Sequence, residues 1–250
     1  MKIVSEISKF AIIFKIKVRH KRYLGLIRHI KEFDKRAKSY STNNYIQKQI
    51  VDDLLNFDSR VHQKILDIGC GNGLIRQNLK FTPELFIGID ASSKMLEIHP
   101  VFDDVKLINK NFDDTSIYEE FIGDIDMIYS SSALQWSKHL NNTLQKIQKF
   151  KNFALAIHTD NTFKELRQTL KTDTFLPSLQ NIKDSLYRNV KYEVKTYQIE
   201  FENNQDLLKY IKNTGISSGQ KKLTTRDLRE FLTKNNKKYL KFEVLFIKDI

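Results

Sequence analysis

Short apolar runs alternate with segments of helical periodicity through the middle of the chain. The apolar runs cover residues 64–68, 85–89, 105–108, 125–130 and 154–158, and each has the length of a buried strand. Between them, apolar residues recur at the spacing of a helix face. The helices predicted there cover residues 74–80, 93–98, 116–121 and 141–150. This alternation predicts a parallel sheet with helices on both faces, whose ligands bind at the carboxyl ends of the strands.

The periodicity changes beyond the fifth predicted strand. Residues 163–170 and 178–187 favour helices, whereas residues 192–201 and 239–247 show the two-residue alternation of strands. The remaining predicted helices lie between those two strands or before the first strand, and they cover residues 205–212, 225–233 and 44–57. No repeat, low-complexity tract or linker interrupts the pattern, which predicts one domain over residues 31–250.

Composition restricts the class of protein. The chain has 250 residues, 40% of them hydrophobic, and a single cysteine, which excludes a disulfide framework and favours a reducing, cytoplasmic setting. Its net charge of +12 favours an anionic partner such as nucleic acid, a membrane surface or an acidic protein, or else reflects general solubility. The six histidines have no metal-binding spacing, so no metal site is predicted.

The first 30 residues differ from the rest of the chain. Their apolar run at residues 10–14 is followed at once by basic residues and is shorter than the about 20 residues that span a bilayer. No small-residue cleavage site follows, so we expect neither a secretory signal nor stable membrane insertion. We predict a basic N-terminal extension outside the domain, with a basic amphipathic helix as the alternative.

The first predicted strand ends in a glycine-rich turn, D-I-G-C-G-N-G, at residues 67–73. Glycines accept positive φ and let the backbone approach a ligand closely. Leu74 stands where a dinucleotide fingerprint would have its third glycine. The turn instead resembles the first motif of class I S-adenosylmethionine-dependent methyltransferases, and this resemblance implies that Asp67 attracts the ammonium group of that cofactor. The cofactor-binding residues implied in the turn are Asp67, Gly69, Cys70, Gly71 and Gly73.

The next three strand ends supply the other residues that the resemblance implies in cofactor binding. Asp90 follows the glycine turn by about 20 residues, where a carboxylate can accept from both ribose hydroxyls, although it could also cap the helix beginning near Ser93. Asn111 stands where methyltransferases commonly have an Asp that binds the adenine amino group. The implied set beyond the turn is Asp90, Ala91, Met95, Asn111, Phe112, Ser130 and Ser131.

The fourth predicted strand leads into S-S-S-A-L-Q-W at residues 130–136. In class I methyltransferases this segment faces the transferred methyl group, and enzymes that methylate amino groups typically carry [DN]-P-P-[YF] there. That tetrapeptide is absent from the segment. The run instead resembles the BioC family, the malonyl-[acyl-carrier protein] O-methyltransferases of biotin synthesis, and a trans-aconitate methyltransferase looks similar here.

The resemblance extends from about residue 31 to the C-terminus. The family's opening F-[DG]-x-x-A-x-x-Y matches residues 33–40, and its T-x-x-E-L and F-L-P segments match residues 162–166 and 175–177. Its usual Pro-Gly-Gly before strand five is absent, because residues 149–152 read K-F-K-N. The resemblance implies a Rossmann-like class I methyltransferase fold. That fold has a seven-stranded, mostly parallel sheet with an antiparallel C-terminal strand, helices on both faces and a helical insertion after strand five.

The implied reaction transfers a methyl group to the free carboxylate of a malonyl thioester. A carboxylic acid with a pKa of about 4 is already ionised at pH 7, so the protein has mainly to position and desolvate the reactants. We therefore predict no catalytic acid or base. The acceptor-pocket candidates, each of which also has a core or gate interpretation, are Tyr40, Gln135 and Trp136.

The implied partner is an acidic acyl-carrier protein, for which basic residues would form a docking face. Arg167 and Arg188 are also candidates for binding the acceptor carboxylate. The substrate or carrier candidates are Arg167, Lys183, Arg188, Lys191, Lys221, Lys222 and Arg226. The alternatives left open are a methyltransferase for a small free acid of the trans-aconitate type, an RNA methyltransferase suggested only by net charge, and a non-catalytic protein of the same fold.

Overall fold

The computed structural model describes Asp34, residues 44–170, residues 173–214, Thr233 and residues 238–250. The predicted extension at residues 1–30 and nearly all of the predicted helix at 225–233 lie outside the described residues.

The described strands form a single sheet. In chain order they are β1 (Lys64–Ile68), β2 (Leu85–Asp90), β3 (Val105–Asn109), β4 (Met127–Ser131), β5 (Asn152–His158), β6 (Val190–Glu200) and β7 (Tyr239–Asp249). Their order across the sheet is β3-β2-β1-β4-β5-β7-β6. The first five strands pair in parallel, and β7 is antiparallel to both of its neighbours. The predicted fold class, with its antiparallel C-terminal strand, is confirmed.

Helices alternate with the parallel strands. In chain order they are α1 (Tyr45–Phe57), α2 (Leu74–Asn78), α3 (Ser93–Glu97), α4 (Ser116–Phe121), α5 (Leu140–Ile147), α6 (Lys164–Leu170), α7 (Leu179–Lys183) and α8 (Asn204–Thr214). A 3-10 turn, Leu134–Trp136, follows β4. Helices α6 and α7 form the predicted insertion after β5.

The sheet separates two apolar layers. On one face, Ile46, Ile50 and Leu54 of α1 are fully buried at helical spacing. On the other face, Leu144 and Ile147 of α5 are equally buried. Because β1, β4 and β5 are covered on both faces, they read as continuous apolar runs rather than alternating ones. This two-sided cover leaves only the strand ends open to a ligand.

Two element boundaries differ from the sequence prediction for identifiable reasons. Strand β4 begins two residues later than predicted because the Asp126 carboxylate accepts the backbone N–H groups of Gln63 and Lys64, at 3.1 and 2.9 Å. Helix α7 ends at Lys183 rather than at 187. There the Gln148 side-chain oxygen accepts the backbone N–H groups of Tyr187 and Arg188. In both places a side chain captures the backbone groups that the predicted element would have used.

A partly buried ion-pair network ties the amino end of the parallel sheet to the C-terminal strand. We define this basal network by Asp58, Arg60, His62 and Asp249. Arg60 donates to Asp58 at 2.5 Å and to both carboxylate oxygens of Asp249 at 2.9 and 3.0 Å. Nε2 of His62 and the Tyr129 hydroxyl donate to the other oxygen of Asp58, both at 3.1 Å. The network therefore fixes the segment before β1 against the end of β7.

Candidate functional site

An open cleft lies at the carboxyl ends of β1, β2 and β4. Helix α1 and the turns after these three strands form its walls. The lining residues are Gln47, Val51, Asp67, Gly69, Cys70, Gly71, Asn72, Leu74, Ile75, Asp90, Met95, Ser131, Ser132 and Ala133. A sheet of this topology exposes its ligand crevice at this edge, so the cleft is the candidate functional site.

The glycines of the turn after β1 satisfy steric demands that other residues would not meet. Gly69, Gly71 and Gly73 have φ values of 74°, 54° and 79°. A Cβ on Gly69 would lie 2.2 Å from the Cβ of Ala133 in the β4 turn. The backbone N–H groups of Gly69 and Cys70 both donate to the Ile89 carbonyl. The turn therefore folds tightly between β2 and the segment after β4.

Asp67, at the end of β1, is buried without a hydrogen-bond partner. The residue is 1% exposed, and neither of its carboxylate oxygens accepts a hydrogen bond from the described residues. Burial, with a contribution from the charge of Asp90, raises the pKa of the Asp67 carboxyl well above its ordinary value. An unpaired buried carboxyl is costly, and a cationic group in the cleft would relieve that cost.

Asp90 holds the opposite side of the cleft. One of its carboxylate oxygens accepts the N–H of Gly71 at 2.9 Å, and the other accepts the N–H of Ser92 at 2.8 Å. Burial raises its pKa, although these backbone bonds oppose the rise. Helix α3 is capped by Ser92, whose hydroxyl accepts the N–H of Met95. Asp90 is thus not the helix cap, and its carboxylate still has lone pairs for ligand hydroxyls.

Three consecutive serines at the end of β4 have hydroxyls in different surroundings. The Ser130 hydroxyl donates to the Ile68 carbonyl at 2.7 Å and does not line the cleft. The hydroxyls of Ser131 and Ser132 are buried and have no partner among the described residues. Ser132 also has a φ of 56°, which is unusual for a residue other than glycine. These two serines add unsatisfied polar groups to the cleft wall.

The 3-10 turn after β4 connects the cleft to the insertion. The Gln135 side-chain amide donates to the Ser132 carbonyl at 2.6 Å, and its own oxygen is buried without a partner among the described residues. The Trp136 ring stacks on Phe175, with centroids 4.7 Å apart and planes 27° apart. Two segments that carry the sequence resemblance, S-A-L-Q-W and F-L-P, are therefore in contact.

Arg167 is a buried cation beside the end of β5. Its guanidinium donates to the backbone carbonyls of Thr162 and Asp160, in the turn that follows β5. Among the described residues, no carboxylate lies within ion-pair distance of it. Burial lowers its pKa, opposed by the charges of Asp160 and Glu165. A buried charge without an ionic partner is a candidate for binding an anion.

Of the implied cofactor residues on the adenine side, Met95 lines the cleft, whereas Ala91, Asn111 and Phe112 are not among its lining residues. The terminal methyl of Met95 would be 3.4 Å from a Cβ on Gly71. The Phe112 ring lies beside Gly69. The Asn111 side-chain oxygen accepts the N–H of Asp113. Ala91 is half-buried directly after Asp90.

The basic candidates are dispersed. Lys183 lies 3.9 Å from the Tyr192 ring centroid on one face of the sheet, and Lys191 lies 5.6 Å from that of Phe57 on the other. Arg188 donates to the carbonyls of Gln148, Phe150 and Lys151 after α5. All three belong to the end of the sheet opposite the cleft, where β6 begins and β7 ends. The candidates that lie outside the described residues are Tyr40, Lys221, Lys222 and Arg226.

Several cleft residues were not predicted from the sequence. Gln47 and Val51 reach the cleft from α1, where their spacing of four residues marks one face of a helix. Ser132 had no signal of its own beyond its place in the S-A-L-Q-W run. The Ser92 hydroxyl donates to the carboxylate of Asp34 at 2.6 Å, which brings this one described residue of the segment 33–40 close to the turn after β2.

Comparison with known proteins identifies the central part of the chain. Residues 66–150 match the family model described as a methyltransferase domain. This stretch of the chain is therefore similar to a methyltransferase domain. A curated relative, the malonyl-[acyl-carrier protein] O-methyltransferase of Acetivibrio thermocellus, is 27% identical over 80% of this chain and 82% of its own. The resemblance to this family of methyltransferases is confirmed.

Solved structures agree on the fold. The YcgJ protein from Bacillus subtilis superposes with a TM-score of 0.59 at 14% identity, covering 80% of this chain and 97% of its own. A SAM-dependent methyltransferase from Anabaena variabilis gives 0.52 at 13% identity, covering 88% and 95%. The plantazolicin methyltransferase BamL, solved with SAH and a triazolic analogue, gives 0.50 at 15% identity, covering 94% and 99%. The chain therefore has the class I, Rossmann-like fold that these proteins share.

The described part of the chain has neither a membrane-spanning helix nor a cluster of metal-ligating side chains. None of the helices there has both the length and the apolar character needed to cross a lipid bilayer. No group of three or more His, Cys, Asp or Glu side chains in that part of the chain comes together as a metal site would require.

Proposed function

We propose that the cleft binds S-adenosylmethionine and that the protein methylates a carboxylate. The polar groups around the cleft fit this cofactor. The unpaired carboxylate of Asp67 suits the ammonium group of the methionine moiety, and Asp90 suits the ribose diol. Met95 and Phe112 supply apolar surface for the adenine. Two solved proteins of the same fold support this choice of cofactor, since one is a SAM-dependent methyltransferase and the other was solved with SAH.

The acceptor class is inferred from the polar side chains that follow β5 and that end β4. The single observation that carries it is the buried Arg167 guanidinium, which has no ionic partner among the described residues. The hydroxyls of Ser131 and Ser132 add two donors at the neighbouring strand end. A carboxylate would satisfy this combination of one cation and two hydroxyl donors better than an uncharged acceptor would.

The chemistry needs no proton transfer from the protein. When bound, the sulfonium group supplies a methyl to the ionised carboxylate oxygen, which yields an ester and a neutral thioether. The protein's part is to hold the acceptor against the cleft and to exclude water. Trp136 and Phe175 provide a stacked apolar wall for this purpose. We assign Gln135 and Trp136 to the acceptor side on this basis, and Tyr40 with them by resemblance.

The specific acceptor that we propose is the malonyl group of an acyl-carrier protein, as in the relative from Acetivibrio thermocellus. The product would be the malonyl methyl ester that primes pimeloyl, and hence biotin, synthesis. Because Lys183, Arg188 and Lys191 lie at the far end of the sheet, we propose that the carrier docks near the cleft instead. The basic segment containing Lys221, Lys222 and Arg226 is the remaining candidate for that surface.

The proposed activity is tested by incubating the purified protein with methyl-labelled S-adenosylmethionine and malonyl-acyl-carrier protein. We expect a base-labile methyl ester on the carrier, and rescue of a biotin-requiring strain that lacks this step. Transfer to free trans-aconitate, but not to the malonyl carrier, would instead assign a small-acid methyltransferase. Label on RNA would overturn carboxylate specificity, and absence of cofactor binding would indicate a non-catalytic protein.

The role of Arg167 has a matched control in Arg188. Both arginines donate to backbone carbonyls, but only Arg167 lies at the cleft end of the sheet. We expect Arg167→Met to raise the KM for the malonyl carrier at least about tenfold, because a charge-assisted hydrogen bond is lost. We expect Arg188→Met to leave that KM within about twofold even if it lowers stability. Equal effects of the two substitutions would contradict the proposed acceptor site.

A further inference from the structure

Besides the two serine hydroxyls, which can also donate, the cleft contains three buried oxygens that act as acceptors, and these come from two distant elements. Two belong to the Asp67 carboxylate at the end of β1, and the third is the side-chain oxygen of Gln47 in the first turn of α1. None of the three accepts a hydrogen bond from the described residues, although both side chains line the same cleft. Buried polar atoms in folded proteins are nearly always paired. Three unpaired acceptors in one cleft therefore indicate that a ligand group with several hydrogen-bond donors binds there.

The number and charge of these acceptors select the kind of group that fits. A primary ammonium has three N–H donors and one positive charge, and so can satisfy a carboxylate and a neutral amide oxygen together. A hydroxyl has a single donor and no charge. A planar guanidinium has five N–H donors in a fixed fork, which is more than three acceptors need. The set thus matches an ammonium group.

We infer that Gln47 is a cofactor-binding residue whose side-chain oxygen accepts a hydrogen bond from the cofactor's α-ammonium group, alongside Asp67. This inference rests on the proposed use of S-adenosylmethionine and names the residue from α1 that completes its amino-acid subsite. Ile46 and Ile50, on either side of Gln47, are fully buried in the core. The helix is therefore held in place, and Gln47 is positioned for the ammonium before the cofactor arrives.

Ligand analogues separate this role from a structural one. Gln47→Leu removes the amide at nearly constant volume, and Gln49→Leu makes the same change two residues away, where the amide contacts only the Tyr45 hydroxyl among described residues. Calorimetry would measure four ligands against both variants and the unaltered protein. They are S-adenosylhomocysteine, its decarboxylated analogue with the amine, its deaminated analogue with the carboxylate, and 5′-methylthioadenosine, which has neither group. Thermal unfolding would confirm that both variants are folded.

We expect Gln47→Leu to weaken both amine-bearing ligands by about ten- to a hundredfold, the range for a hydrogen bond to a charged group. The deaminated analogue and methylthioadenosine should bind within about twofold of normal, and Gln49→Leu should change nothing. A loss confined to carboxylate-bearing ligands, an equal loss with all four, or no loss would overturn the inference. If the unaltered protein bound none of them, the proposed cofactor itself would fail.

Discussion

Two buried aspartates at opposite ends of the sheet have opposite surroundings. Asp58, in the basal network, accepts hydrogen bonds from Arg60, His62 and Tyr129. Asp67, in the cleft, accepts none from the described residues. Burial favours the neutral form of both carboxyls. At Asp58 the bonds from His62 and Arg60 outweigh burial and lower the pKa, whereas at Asp67 burial prevails and raises the pKa.

This difference distinguishes carboxylates that stabilise the fold from carboxylates that stay unpaired until a ligand binds. Interactions of the basal network are complete within the chain, so they contribute to folding. The cleft acceptors remain unpaired within the described chain, so the folded state carries a cost that a bound cation would offset. The comparison predicts opposite responses to the loss of each carboxylate.

The largest effect is expected from Asp58→Asn. The substitution leaves Arg60 and His62 without their shared anion, and we expect the free energy of unfolding to fall by about 2–3 kcal/mol. The value lies below that for a fully enclosed pair because the Arg60 side chain is 37% exposed. Urea denaturation measures it. Glu97→Gln, which breaks the exposed pair with Lys94, is the control and should change stability by less than about 0.5 kcal/mol.

Asp67→Asn should act in the opposite direction on the ligand-free protein. Because the cost of burying an ionisable carboxyl is removed, we expect the free energy of unfolding at pH 8 to rise by on the order of 1 kcal/mol. The same variant should bind S-adenosylhomocysteine at least about tenfold more weakly. The exposed Asp103→Asn is the matched control and should alter neither quantity. Lower stability of Asp67→Asn would break the comparison between the two aspartates.

The two carboxyls also predict opposite pH dependences. The folded pKa of Asp58 is lowered, so its stabilising contribution is present above the unfolded pKa and is lost as pH falls through the folded one. The folded pKa of Asp67 is raised, so its contribution is present at low pH and is lost as pH rises toward the folded pKa. Urea denaturation from pH 3 to pH 9 of each Asn variant should remove one of these two slopes and leave the other.

Cofactor binding should release the proton of the Asp67 carboxyl. An ammonium beside Asp67 lowers its raised pKa, so binding releases a proton and the affinity increases with pH until the free carboxyl is ionised. Calorimetry of S-adenosylhomocysteine in two buffers of unlike ionisation enthalpy should detect up to about one proton released per ligand. The release should vanish in Asp67→Asn. A protein that releases no proton would show that the ammonium lies elsewhere.

The smallest expected effect concerns the stacked rings at the edge of the cleft. A double-mutant cycle on Trp136→Ala and Phe175→Ala should give a coupling energy of about 0.5–1.5 kcal/mol in the free energy of unfolding. Independent losses with no coupling would mean that the insertion is held to the β4 turn by other contacts. Urea denaturation of the two single variants and the double variant measures the coupling.

The sequence alone determined the order of elements and half of the cleft. Periodicity of two or of 3.6 residues is a local property, so the strands and most helices could be located within a few residues. Asp67 and Asp90 could be chosen because each ends a strand and a parallel sheet brings those ends to one edge. The short-range pattern does not show where a side chain captures a neighbour's backbone. That limit explains the shorter α7 and the later start of β4.

Only the tertiary structure decided which distant side chains share a site. Gln47 lies 20 residues before Asp67 in the sequence, and packing of α1 on the sheet brings both to one cleft. Lys183 and Lys191 were predicted to belong to one basic face. In the structure, Lys191 and Tyr192 are successive residues of β6 and so face opposite sides of the sheet. Lys183 of α7 contacts Tyr192 and Lys191 contacts Phe57, so the two lysines lie against different faces. Local periodicity specifies elements through near neighbours. Burial, pairing and unmet hydrogen bonds arise from contacts between elements, which exist only once the chain is folded.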